Sequence, residues 1–466
     1  MQATPAEDRP RPALDANTRS LILGVGTAIG IYVLLSVVLI FQGSPLGHDE
    51  AAYSLRARHL VEGMEPVFYW NAYRAPGLPF TLQLAWLLSP TEPYLRLIVA
   101  AFGVPLIGAT AYIAHRMFGV RTAILSAFGL AMTPVILQSG SQVWPDVPGA
   151  ALGMVAVAVY VFALDRSTAS RWMLAVPVVT FLATIVRFGA VVPVGIALIG
   201  ITMWRWSTAL ASRTLVGITA ALTAFTGYLV LFVPAATGWA QIGEPISPWS
   251  SIVRLAELND LPWYLAFENY IRFSDLLIGG TASLFLAVGM VVAAVHAARG
   301  GDRSRDVWTA LGIAVATFVA LSLLLHGEPR YLSPVLPWLW IVGAFGIATL
   351  ARIPDRTLAV SLAVVLCLFV AVDSLRRADA RNDLNAESFT RIKEAADNID
   401  ANTDNNACGV VSGYVPQVGW YSHCPTKGYD LSQVSIDSDY FGDGPVFLML
   451  VEGGKRQPQG DLLADY

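Results

Sequence analysis

The chain alternates long apolar runs with short polar turns. The runs cover about residues 21–41, 94–114, 122–138, 148–164, 173–187, 190–204, 214–234, 275–297, 307–325, 331–350 and 357–374. Most are long enough, or nearly so, to cross a bilayer as one helix, which needs roughly 20 apolar residues. Eleven membrane helices are therefore expected. The turns after even-numbered runs are rich in arginine: 115–121, 165–171, 205–213, 299–305 and 352–356. A cytoplasmic N-terminus puts all five on the inner side, as the positive-inside rule asks. Merging the two short runs 173–187 and 190–204 would reverse every later turn, so they are read as separate helices.

That register leaves 42–93, 139–147, 188–189, 235–274 and 326–330 as outward loops. The first is long. It holds an amphipathic stretch, Ala51 to Val61, and an aromatic one, Val67 to Tyr73, with Pro76 and Pro79 as helix breakers. Such segments suit helices lying at the membrane surface. Loop 235–274 has the same character, with Trp239, Trp249, Trp263 and Tyr264. Residues 1–20 are polar and proline-rich and read as a disordered cytoplasmic tail. The run behind them is too long for the apolar core of a signal peptide, so it is expected to stay as the first helix.

After residue 375 the pattern changes. Residues 376–466 are polar and hold all three lysines, Lys393, Lys427 and Lys455. Glu387 to Ile399 has helical spacing, while Cys408–Val411 and Pro445–Val451 read as short buried strands. The expected architecture is an all-α polytopic membrane module, residues 21–375, followed by a small α/β domain outside the cytoplasm. Arg376, Arg377 and Arg381, directly behind the last run, are the one feature that fits this side poorly. Cys408 and Cys424 fall in the small domain and would form a disulfide in an oxidising compartment; Cys367, inside a run, reads as packing.

Composition agrees. Of 466 residues 55% are hydrophobic and 14% charged, against about a quarter charged in soluble domains. The net charge of −4 points to no partner, and no basic patch of the nucleic-acid kind is present. No nucleotide-binding glycine loop and no zinc-ligand spacing appear.

Candidate chemistry gathers on the outward loops. Asp49 and Glu50 stand just past the first run, in Gly47-His48-Asp49-Glu50-Ala51-Ala52-Tyr53. On a helix these neighbours point about a quarter-turn apart. One acid can face a site while the other binds nearby backbone; a helix cap alone would also account for them. A carboxylate at a membrane surface can serve as a general base toward a hydroxyl. Asp146, in Trp144-Pro145-Asp146-Val147-Pro148, is a second outward acid or a cap. Arg74 is a phosphate clamp or a surface arginine. Arg187, a charge between two apolar runs, marks a site or an ion pair. Glu328, Arg330 and Tyr331 are held at the membrane face by a very short turn that also contains His326. Acids that activate a hydroxyl and guanidinium groups that hold phosphate suggest group transfer from a lipid phosphate.

These pieces resemble the GT-C superfamily of glycosyltransferases, nearest the protein O-mannosyltransferase and lipid A aminoarabinose transferase group. The matching residues are Asp49-Glu50 in a long first outer loop, Arg74-Ala75-Pro76-Gly77-Leu78-Pro79, Trp144-Pro145-Asp146-Val147-Pro148, Arg187, and Pro329-Arg330-Tyr331 followed by Pro334 and Pro337. The resemblance spans roughly residues 20–350. It implies a polyprenyl-phosphate sugar as donor, Asp49 as catalytic base with Glu50 and Asp146 beside it, and inversion at the anomeric carbon. Arg330, Arg74, Arg187 and Tyr331 would bind the donor phosphate. His48, Tyr53 and Glu328 would line the substrate cavity. Some relatives use a divalent metal, Mg or Mn, for which Asp49 and Asp146 would be ligands; others use none. The acceptor, whether saccharide, lipid or protein, is open, and the modest outer loops leave a protein acceptor unassured. The expected location is the plasma membrane with the site on its outer face. The rivals are a transporter or flippase of lipid-linked saccharides, which would normally show repeated halves, and a non-catalytic scaffold.

Overall fold

The structure is a computed structural model that describes residues 15–63, 74–165, 171–233, 264–272, 278–324, 327–350, 356–403, 408–428 and 445–450, with backbone alone at 171, 324, 356–367 and 381–388. The tail to residue 14, Val67–Tyr73, Trp239, Trp249, Trp263, His326 and Lys455 lie outside these residues.

The chain is mostly helical. Its helices are α1 (Ala16–Phe41), α2 (His48–Glu62), α3 (Gly77–Leu82), α4 (Glu92–Ala101), α5 (Gly103–Phe118), α6 (Val120–Ala131), α7 (Pro134–Gly140), α8 (Asp146–Leu164), α9 (Ala175–Val186), α10 (Val191–Trp204), α11 (Trp206–Ala211), α12 (Arg213–Phe232), α13 (Leu265–Arg272), α14 (Gly280–Ala298), α15 (Ser304–Leu324), α16 (Leu336–Leu350), α17 (Arg356–Ala401) and α18 (Val415–Tyr421). Six stretches among the described residues are long and apolar enough to cross a membrane: Ala16–Phe41, Glu92–Phe118, Asp146–Leu164, Arg213–Phe232, Gly280–Ala298 and Ser304–Leu323. Large apolar side chains such as Leu23, Leu34, Ile199, Val291 and Leu323 lie exposed along the helices, as lipid-facing surfaces require.

The described residues of the eleven apolar runs are mostly helical, but not each run is one full-length helix. The run 122–138 is broken, with α6 and α7 bent by 61°. Pro134 opens α7 and has no N–H to continue the α6 ladder. Runs 173–187 and 190–204 do form separate helices. The chain turns extended at Arg187 (φ −147°, ψ 111°) between them. The last run continues into α17, a 46-residue helix that passes residue 375 without a break. The stretch 51–61 is α2, and it does not simply lie on a membrane surface. Ala51 to Leu55, Ala57 and Arg58 are all buried against other parts of the protein.

Two cores result. The larger joins α1, α5, α6, α8, α10, α14, α15 and α16. The α14–α16 contact is backbone on backbone: a Cβ at Gly346 would lie 1.8 Å from the Gly289 carbonyl oxygen. Small residues allow this approach between membrane helices. The second core joins α2, α3 and α4 to the C-terminal part, through Leu46, Leu78, Val99, Ile392, Val418 and Trp420. Here β1 (Gly409–Ser412), β2 (Thr426–Lys427) and β3 (Val446–Met449) form a parallel sheet in the order β2-β1-β3. Helix α18 crosses over from β1 to β2, and a disulfide joins Cys408 to Cys424.

Polar side chains separate between the two ends of the bundle. At one end Asp165 holds Arg116 (2.6 Å) and Arg205 (3.0 Å), and Arg303 reaches the Met117 carbonyl (3.1 Å). The other end carries Asp49, Asp146, Arg187 and Arg330. Replacing Gly346 with Leu must push α14 and α16 apart. We expect a loss of about 1–3 kcal/mol, read as a lower unfolding temperature in detergent.

Candidate active site

The first turn of α2 sends its two acids in different directions. Gly47 begins the helix in an extended conformation, and its N–H donates to Glu50 Oε2 at 2.9 Å. Glu50, 2% exposed, also accepts from Arg96 Nε (3.0 Å), Arg96 Nη2 (3.2 Å) and the Val143 N–H (2.9 Å). Every bond it makes is structural. It ties α2 to α4 and to the turn before α8, a quarter-turn away from Asp49.

Asp49 faces a cluster of arginines. Its Oδ1 lies 2.5 Å from Arg74 Nη2 and its Oδ2 lies 2.7 Å from Arg330 Nη2. Arg330 Nε also meets Glu328 Oε2 at 2.5 Å and Asp146 Oδ2 at 3.9 Å, and its guanidinium lies over the Trp144 ring, 4.4 Å from the centroid. Asp146, 1% exposed, pairs with Arg187, which stacks 5.0 Å over Tyr331. It does not cap α8 with its side chain. Four remote stretches thus supply three carboxylates and three guanidinium groups, a neutral set at the end of the bundle. Burial alone would raise the Asp49 carboxyl, but Arg330 and Arg74 outweigh it and hold the group well below the ordinary carboxylate range. Burial likewise opposes the Arg330 charge, and Asp49, Asp146 and Glu328 lock it on.

Of the residues nominated from sequence, Asp49, Asp146, Arg74, Arg187, Glu328, Arg330 and Tyr331 converge. Tyr53 is buried within electrostatic reach of Arg74, Asp49, Asp146 and Arg330. Glu50 is turned elsewhere. His48 offers its backbone N–H to Gln417, whose carbonyl, with the amide oriented to suit its neighbours, accepts at 3.1 Å. The Leu46 N–H donates to Tyr421 Oη at 2.8 Å. Arg58 donates to the Gly419 carbonyl at 3.3 Å and covers Trp420 at 4.1 Å. Helix α18 therefore grips the backbone immediately before Asp49. Sequence reasoning missed Arg96, Gln417, Tyr421 and Trp144. Of these, only Arg96 left a signal, as a charge within the run 94–114.

An apolar cavity of about 260 Å³ adjoins the cluster. Tyr270, Phe318, Leu332, Val335 and Leu336 line it. It begins beside the Pro329–Leu332 turn, and the Tyr270 ring lies within electrostatic reach of Arg187, Asp146 and Glu328.

The described residues do not make a divalent-cation site. Both Asp49 oxygens face guanidinium groups, as does Asp146. No group of three or more His, Cys, Asp or Glu side chains gathers among the described residues.

The fold is similar to those of solved membrane transferases, and one part of the chain matches a glycosyltransferase family. The model of the Alg9-like mannosyltransferase family matches residues 262–408. ArnT from Cupriavidus metallidurans has a similar structure, at 18% identity over 89% of this chain and 86% of that one. Its TM-score is 0.57 in the apo state and 0.59 bound to undecaprenyl phosphate. The Archaeoglobus fulgidus oligosaccharyltransferase aligns at 15% identity and TM-score 0.57, over 86% of this chain but 64% of that one. No curated protein sequence matches the chain.

Because Glu50 and Arg96 are buried together, breaking one side should cost more than removing both. Glu50→Gln leaves an uncompensated guanidinium and is expected to destabilise by about 3–5 kcal/mol. The double variant Glu50→Met with Arg96→Met should recover much of that. Thermal unfolding of wild type, Glu50→Gln and the double variant checks it.

Proposed function

We propose that this chain is a glycosyltransferase that moves a sugar from a polyprenyl-phosphate donor to an acceptor hydroxyl, with inversion. The carrying observation is Asp49, a carboxylate fixed between Arg74 and Arg330. Asp49 takes the acceptor's proton while the acceptor oxygen attacks the anomeric carbon. The bond from that carbon to the phosphate oxygen breaks on the opposite face, and the lipid phosphate departs with the electron pair. Guanidinium charge stabilises it, the electrostatic help that dominates many transfers. Arg74, Arg187 and Arg330 supply that charge in the cluster. The cavity lined by Phe318, Leu332 and Leu336 suits the first isoprene units of the carrier. Solved relatives in the fold support this class: ArnT has been solved with undecaprenyl phosphate, and the Archaeoglobus oligosaccharyltransferase with a dolichol-phosphate and an inhibitory peptide.

The site belongs on the outer face of the plasma membrane. The arginine-rich turns favour the cytoplasm at the other end, and a disulfide at Cys408–Cys424 persists in an oxidising compartment. Residues 376–466 would then be extracytoplasmic. No metal-dependent step enters this scheme.

Asp49→Asn should lower sugar transfer by about 100-fold or more in membranes supplied with lipid-linked donor, while the protein still elutes as a folded species. Wild-type turnover in that variant would remove the mechanism. Movement of the lipid across the bilayer without transfer of label to an acceptor would instead favour a transporter. The pH dependence has a definite sign. The arginine pairs keep Asp49 ionised, and their stabilisation is present above its unfolded pKa and lost as pH falls through the lowered folded value. In Arg74→Gln one pair is gone, so the acid limb of the pH–rate profile should move to higher pH.

A further inference from the structure

Helix α2 has no cap of its own. The first N–H groups of a helix find no acceptor within it, and an N-cap side chain ordinarily supplies one. Gly47 holds that position and has no side chain to offer. Three consecutive N–H groups at this turn still find side-chain acceptors. That of Gly47 uses Glu50 of the same helix, at 2.9 Å. Those of Leu46 and His48 use Tyr421 Oη (2.8 Å) and the Gln417 amide (3.1 Å), both from α18 at the far end of the chain. Asp49 is the next residue. Its carboxylate must then meet Arg74 and Arg330, which arrive from two other stretches. Whatever fixes residues 46–48 therefore fixes how the acid is aimed.

The position of α18 is itself determined. All seven of its residues are buried. A Cβ at Gly419 would lie 3.1 Å from Leu55 Cδ2, so α18 stands directly against α2. The Trp420 ring meets Trp86 edge-on at 6.5 Å, and Lys393 Nζ of α17 lies 4.7 Å from the centre of the Tyr421 ring. Glu92, the first residue of α4, interacts with the same Tyr421 hydroxyl. The whole helix falls between Cys408 and Cys424, whose bond closes the segment on itself. Both cysteines belong to the second core and neither to the larger one in the membrane bundle. We infer that Tyr421 and Gln417 are positioning residues for Asp49, and that the Cys408–Cys424 bond is a latch that serves turnover. This rests on the reaction proposed above, with Asp49 as the base.

The full-length protein in detergent tests it, in sugar-transfer assays run below the melting temperature of every variant. Tyr421→Phe keeps the ring and leaves the Leu46 N–H buried without an acceptor. Misplacing a catalytic group costs rate more than binding, so kcat should fall by about tenfold or more while KM for the donor stays within about twofold. Cys408→Ala with Cys424→Ala should give the same pattern. Gly346→Leu, which disturbs the other core, should lower the melting temperature without that pattern. The deciding measurement is a double-mutant cycle. In an Asp49→Asn background, Tyr421→Phe should cause no further loss of residual transfer, because it acts through the acid. Equal fractional losses in both backgrounds would make Tyr421 a general structural contact and overturn the inference. Wild-type kcat in Tyr421→Phe, with transfer still lost in Asp49→Asn, overturns the positioning role and leaves the reaction standing. Should Tyr421→Phe not fold, the cysteine pair decides by the same cycle. Full turnover in Asp49→Asn alone would remove the reaction, and the inference with it.

Discussion

Charge balance next to lipid is the constraint from which the rest of this structure follows. A carboxylate or guanidinium at the edge of an apolar bundle is strongly disfavoured unless an opposite charge is close. Here Asp49, Asp146 and Glu328 meet Arg74, Arg187 and Arg330, drawn from the first loop, the start of α8, the break after α9 and the turn before α16. Four distant stretches must arrive together, because none can leave its charge alone at that depth. The same pairing keeps Asp49 and Arg330 charged in spite of their burial.

The scaffold under the cluster is built for close approach. Gly77 lets α3 press on the end of α9, where an added Cβ would lie 2.8 Å from the Ile185 carbonyl oxygen. Gly149 does the same beside Arg187, at 2.9 Å from its Cβ. These contacts bring Arg74 and Arg187 to one level. Glu50 and Arg96 fix α2 from below, and α18 fixes it from above. Asp49 therefore stands on a short helix held on two sides, and little movement is left to its backbone.

Much of this was legible in the amino-acid order. Charges at the borders of apolar runs stand out, so Asp49, Arg74, Asp146, Arg187 and Arg330 could be nominated one by one. Pro134 sits inside a run read as a single helix, and the 61° bend follows from it. The partners of the α2 turn were not legible. Gln417 and Tyr421 lie in a polar segment with ordinary composition, and nothing local says that they meet residues 46–48. The division of labour between Asp49 and Glu50 was visible as a direction, but its meaning depended on Arg96 and Val143. The change of composition at residue 375 pointed to a boundary, whereas α17 runs straight across it.

The bond from Leu46 to Tyr421 spans 375 positions of sequence. During biosynthesis the turn that carries Asp49 is therefore made early and its clamp late. An insertion intermediate with only the leading helices in the bilayer holds that acid in a turn whose second anchor is still to come.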